Sequence, residues 1–142
     1  FMKKLTTIIL SLAFFQLAAQ DTLKVMHYNL LMYGNNSGWC NENNNDVDEK
    51  NLNLQTIIDY VKPDIFTVNE LSENTFYHEY LQSYALNVEG VNYFQMGNPS
   101  NLSNSYIVNQ IYFNSDKLSL DNYKVVSTVG RDIDIFGLSF YC

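Results

Sequence analysis

The sequence predicts a layered α/β (α+β) fold with mixed sheets, and two observations carry that expectation. Residues 23–70 read as strand, helix and strand, a unit whose crossover makes its two strands parallel and adjacent. Beyond Glu70 one short helix is followed by four strand-like segments separated by turns bearing Asn, Ser and Asp, the pattern of a meander. No repeat and no linker divides the chain, so a single domain is expected after an N-terminal leader.

Residues 1–19 read as that leader. Lys3 and Lys4 precede an apolar run over residues 5–17 and then Ala18-Ala19, the layout of a secretory signal peptide cleaved after Ala19. A membrane span needs about 20 apolar residues; this run is shorter and is interrupted by Thr6, Thr7, Ser11 and Gln16. The expected location is therefore secreted, periplasmic or at the cell surface. Export would permit a disulfide between Cys40 and Cys142, whose separation matches no zinc pattern; two unrelated thiols are the alternative.

Residues 23–30 form a short apolar run rich in strand formers, expected to be a strand covered on both faces. Residues 34–45 are rich in Gly, Asn and Ser without apolar period, a loop in which only Trp39 could anchor to a core. Leu54, Ile57, Ile58 and Val61 then recur at helical spacing, with Asp48 and Glu49 near the N-terminus, where the helix dipole favours acids. Lys62-Pro63 stops this helix, because proline disfavours helical geometry in the residue before it. Residues 64–70 supply the second strand. Ser72 is expected to cap a helix over residues 73–84 with Phe76, Tyr80, Leu81 and Tyr84 on one stripe. Residues 91–96, 105–114, 123–129 and 132–141 read as strands, and Asn114-Ser115-Asp116-Lys117 reads as a hairpin connection.

Parallel strands joined by a crossover present their C-terminal ends at one edge of the sheet, where open α/β sheets bind ligands. Asn29 and Glu70 would meet at that rim. A glutamate closing an apolar strand also needs a partner for its charge. Other polar residues have plainer readings. His27 is expected in the core with a hydrogen bond and His78 on the solvated side of its helix. Asn109 reads as a satisfied strand asparagine, and Asp132 and Asp134 as a polar edge face. The many Tyr and Phe residues are expected to fill the core and the space between sheets.

Charge narrows the partners. The chain carries a formal charge of −7, and loss of Lys3 and Lys4 with the leader leaves 6 basic against 15 acidic residues. That composition disfavours broad phosphate contacts, which need clustered Lys and Arg. A metal-bridged phosphate stays open, since the metal supplies positive charge locally.

Lys24-Val25-Met26-His27-Tyr28-Asn29-Leu30-Leu31 resembles the opening strand of the endonuclease/exonuclease/phosphatase superfamily, which closes on an Asn. Val61-Lys62-Pro63-Asp64-Ile65-Phe66-Thr67-Val68-Asn69-Glu70 is similar to its second motif, a Pro-Asp-Ile start and a Gln-Glu finish, with Asn69 in place of the Gln. Residues 104–117, a strand with an Asn-Ser turn and a lysine, resemble the middle of its secreted members.

The resemblance implies a four-layer α-β-β-α sandwich that hydrolyses phosphoester bonds with a divalent metal, usually magnesium, with manganese as an alternative. It places Glu70 on the metal ligand and Asn29 at the catalytic centre, orienting the nucleophilic water or its base partner. The implied substrate is a phosphoester, nucleic acid among the candidates. The family's later Asp-x-Asn and Ser-Asp-His strings do not occur in these 142 residues. Residues 20–142 are accordingly expected to be an N-terminal portion of such a domain, inactive by itself. A secreted β-rich binding or adhesion module without catalysis is the alternative function.

Overall fold

The computed structural model describes residues 22–141, so the leader and Cys142 lie outside the described residues. Strand β1 (Val25–Tyr33) and strand β2 (Ile65–Ser72) pair in parallel, with Val25 opposite Ile65 and Asn29 opposite Asn69. Helix α1 (Val47–Val61) is the crossover between them. Asp46 caps it by accepting from the N–H groups of Asp48 and Glu49. It ends at Lys62, whose left-handed backbone (φ 51°) turns the chain into Pro63. The buried face of α1 carries Asn51, Leu54 and Ile58.

Strand β4 (Ile107–Asn114) lies antiparallel to β2, and strand β3 (Phe94–Met96) closes the sheet in the order β1-β2-β4-β3. Strands β5 (Leu118–Val126) and β6 (Ile133–Phe140) form a separate antiparallel pair. This second sheet docks over β4. A Cβ on Gly97 would fall 2.7 Å from both Ile111 and Phe136, so only glycine permits that approach. Asn109 on β4 donates to the Asp132 carbonyl at 3.1 Å and to Asp134 at 3.4 Å. The architecture is thus mixed α+β with two sheets and helices against the first, part of the predicted sandwich.

Between the first sheet and its helices the core includes Tyr33, Phe66, Leu71, Leu81, Phe94 and Tyr112, all buried. Each such side chain contributes about 1.5–3 kcal/mol by leaving water.

Several expectations fail at β1 and in the loop that follows it. That strand is an edge, and coverage on both faces is not found: Val25 is 65% exposed. His27, expected in the core, is exposed on the same face and pairs through Nδ1 with the Thr67 hydroxyl at 2.9 Å. Trp39 anchors nothing, being 96% exposed. Its loop is tied instead by Asn45, whose Nδ2 donates to Met32 O, Asn35 O and Asn36 Oδ1.

The second helix is shorter than its apolar pattern suggests. Helix α2 (Thr75–Leu81) is capped by Asn74 rather than Ser72 and runs into a π-helical turn (Gln82–Leu86). Of the expected apolar stripe only Leu81 is fully buried. Phe76, Tyr80 and Tyr84 stack on one another along the solvent side, with centroids 5.4 and 4.4 Å apart. His78 turns inward and is 0% exposed. There Gln110 Nε2 donates to His78 Nδ1 (3.1 Å), and Nε2 donates to Ser72 O (2.8 Å), so the imidazole is satisfied as the neutral form. Burial pushes its pKa down, with Ser72 and Glu79 pulling the other way. Asp134 likewise faces inward, accepting from Ser100 and Tyr123.

Candidate active site

β1 and β2 hold a regular parallel register through Asn29 and Asn69, then lose it before Tyr33 and Leu71. The β2–β4 pairing breaks over the same interval, between Val68 and Leu71. Leu31 (φ 49°), Met32 (φ 61°) and Glu70 (φ 60°) all lie in the left-handed region. Each such non-glycine residue costs about 1–2 kcal/mol, and strain of this kind concentrates where function demands a shape. The C-terminal rim of the β1–β2 pair is therefore distorted in both strands.

Asn29 faces Asn69 across the pair, which puts Glu70 one residue further along β2 at the same rim. Asn29 Oδ1 accepts from the Leu31 amide at 2.8 Å and shapes the turn, leaving Nδ2 without a partner among the described residues. Beside Glu70, Asn69 holds a buried Oδ1 that has no hydrogen-bond partner among those residues. The mostly buried Glu70 carboxylate lies 3.7 Å from Arg131 Nη2. Arg131 sits in the β5–β6 turn, which Asp132 anchors by accepting from the amides of Leu102 (2.5 Å) and Ser103 (3.3 Å). The exposed His27 lies two residues before Asn29, on the same face of β1.

A lysine supports the rim from below. Lys50, in the first turns of α1, donates to Leu30 O at 3.0 Å, Leu31 O at 2.7 Å and Asn45 Oδ1 at 2.5 Å. Burial lowers the pKa of its ammonium, with Cys40 and Glu70 nearby pulling the other way. Next to it, Tyr33 donates to Asn51 Oδ1 at 2.7 Å, and burial raises the phenol's pKa.

Sequence reading found neither Arg131 nor Lys50. Arg131 is 61 positions from Glu70 and no local pattern announces their meeting. Lys50 did carry a signal: a cation near a helix N-terminus opposes the dipole and calls for acceptors nearby.

Among the described residues no three His, Cys, Asp or Glu side chains cluster as a metal cage. The donors at the rim are all oxygen: one carboxylate at Glu70 and the orphaned amide oxygen of Asn69. Such a set fits a hard cation of the magnesium type, which is held by one or two carboxylates and completes its shell with water and phosphate.

Fold and rim together define a class: an α+β fold of two sheets with polar side chains and left-handed backbone where the register of its parallel strands breaks. Humanized D. rerio TDP2 carrying 14 mutations shares this fold, with a TM-score of 0.57 and 16% sequence identity over 83% of the present chain. The chain spans 42% of that TDP2 chain. No family model and no curated protein matches the sequence.

Proposed function

We propose that this chain carries the metal-anchoring part of a divalent-metal-dependent phosphoester hydrolase of the endonuclease/exonuclease/phosphatase type, exported by residues 1–19. The observation that carries the reading is that Asn29, opposite Asn69, and the left-handed Glu70 next to Asn69 lie where the β1–β2 register breaks. The fold likeness to TDP2, a phosphodiesterase of that superfamily, supports it.

In this reading Glu70 holds magnesium, or manganese, with Asn69 Oδ1 as the neighbouring oxygen donor. Bound there, the ion supplies Lewis-acid stabilisation of charge building on the phosphoryl oxygens. Arg131, 3.7 Å from the Glu70 carboxylate, would offer its charge to a phosphate held at the same rim. Asn29 keeps its turn through Oδ1 and offers Nδ2 to orient water or substrate without adding a charge that competes for the metal. His27 and the exposed edge of β1 leave that face open to substrate. The acidic balance of the chain, 6 basic against 15 acidic residues without the leader, favours a small phosphoester or a metal-screened nucleic acid over tightly bound duplex. The family's Asp-x-Asn string, which carries the general base, and its Ser-Asp-His string do not occur in these 142 residues.

Calorimetric titration with manganese tests the reading directly. The chain should bind the ion, and Glu70→Ala should abolish the heat while circular dichroism shows the fold intact. Residues 1–142 alone should not turn over a phosphodiester. Binding unchanged in Glu70→Ala would remove the metal centre and leave the β-rich binding module as the function.

A further inference from the structure

We propose that Lys50 is the positioning residue of the rim: it clamps the distorted end of β1 onto α1 and so holds Asn29 beside Glu70 in the arrangement that receives the cation. The inference rests on the metal reading of Glu70 given above.

The geometry is specific. An ammonium has three N–H donors, and Lys50 uses all three within 3.0 Å, on Leu30 O, Leu31 O and Asn45 Oδ1. Two of these acceptors belong to the segment where β1 leaves its register, and Leu31 is itself left-handed. Its carbonyl does not follow the regular ladder, so its acceptor is met by a side chain instead. The third acceptor, Asn45, passes the restraint on. Its amide donates to Met32 O, Asn35 O and Asn36 Oδ1, tying the whole exit of β1 to the foot of α1. Without the clamp, Leu31 and Met32 are free to relax from φ values of 49° and 61°. The Asn29 Oδ1 to Leu31 N–H turn bond would go with them. Lys50 reaches neither Asn29 nor Glu70 by a hydrogen bond, so it acts through the backbone that carries Asn29.

Charge and position make opposite predictions, which makes the assignment testable. A cation in electrostatic range of Glu70 repels a divalent ion, so removing charge alone would tighten metal binding. Removing the clamp would weaken it. Manganese affinity is to be measured by calorimetry and by electron paramagnetic resonance on the full 142-residue chain and on Lys50→Met, Lys50→Arg and Lys50→Gln.

Lys50→Met should raise the Kd about tenfold, equal to about 1.4 kcal/mol. Lys50→Arg, which can still donate to both carbonyls, should stay within about twofold of the parent. Lys50→Gln keeps two N–H donors without the charge; it provides the folded comparison should Lys50→Met not fold, and its Kd should fall between the other two. Amide exchange at residues 31–33 should quicken in the same order. Unchanged or tighter binding in both Met and Gln variants overturns the assignment. So does an Arg variant that loses as much as Met. Glu70→Ala with undiminished binding instead removes the metal reading, whatever the Lys50 variants do to amide exchange.

Discussion

The two ends of the β1–β2 pair are built in opposite ways. Where the strands begin, Asp64 closes the structure with its partners in place. Its Oδ2 accepts from the Lys24 amide at 3.0 Å, and Oδ1 lies 2.7 Å from Lys117 Nζ. Its own N–H donates to Lys24 O and its carbonyl accepts from Asn114, both at 2.8 Å. Where the strands end, three residues are left-handed, Asn69 Oδ1 is an orphan and the Glu70 ion pair is long, at 3.7 Å. Strand pairing does not cause the strain, since the same strands are regular at their start. One end holds the domain together, and the other draws on that stability to keep a shape the backbone would not choose.

The contrast is broken most severely at Asp64. Asp64→Ala should lower unfolding free energy by about 3 kcal/mol, because it leaves the Lys24 amide unpaired and removes a charge-assisted bond to Lys117. Urea unfolding midpoints measure this, and a loss below about 1 kcal/mol would deny that this end is the stabilising one. The same group sets an acid limit. Burial pushes the Asp64 pKa up, but the bonds from Lys117 and Lys24 and their two charges outweigh it and hold the carboxyl below its usual range. Its contribution is thus complete above about pH 4 and is lost as pH falls from there through the folded-state value. The Asp64→Ala chain should show a flatter stability profile across that interval.

A smaller effect is expected at the rim entrance. Gly34 has φ 73°, and a Cβ there would fall 2.3 Å from the Tyr77 ring, which packs edge-on against Tyr33. Gly34→Ala should cost about 2 kcal/mol from strain and a displaced ring. Gly38 has φ 64° with no atom within 4 Å of a Cβ, so Gly38→Ala should cost about 1 kcal/mol from strain alone. Equal losses would show that Tyr77 does not brace the loop beside the rim.

The regular end was the legible one. Leu54 and Ile58 at helical spacing, the Lys62-Pro63 stop and the apolar run after Asp64 placed α1 and β2 to within a residue or two, because local sequence pattern decides them. Although the strands run on to Tyr33 and Ser72 rather than closing at residues 30 and 70, the parallel pairing that sets Asn29 opposite Asn69, next to Glu70, was legible. The distortion around them was not, since Leu31, Met32 and Glu70 are poor candidates for positive φ on intrinsic preference. Nor were their supports. Arg131 arrives from another sheet, and Lys50 bonds backbone carbonyls, which every sequence possesses. His78 and the Phe76–Tyr84 stack were reversed by the opposite circumstance. Aromatic rings found enough burial against each other on the surface, while a histidine with two hydrogen-bond partners could be taken inside.

The smallest effect is the sharpest test of strain itself. Glu70→Ala and Glu70→Gly both lose the contact to Arg131, a partly exposed pair contributing at most about 1 kcal/mol. They differ in the backbone. At φ 60° alanine keeps the steric conflict of its Cβ, whereas glycine has none. Glu70→Gly should therefore be more stable than Glu70→Ala by about 1 kcal/mol, the reverse of their order at a regular strand position such as Thr67. Both should fail to bind manganese. A glycine variant that is less stable than the alanine variant would mean that Glu70 is not strained, and the difference between the two ends of the strand pair would reduce to hydrogen bonding alone.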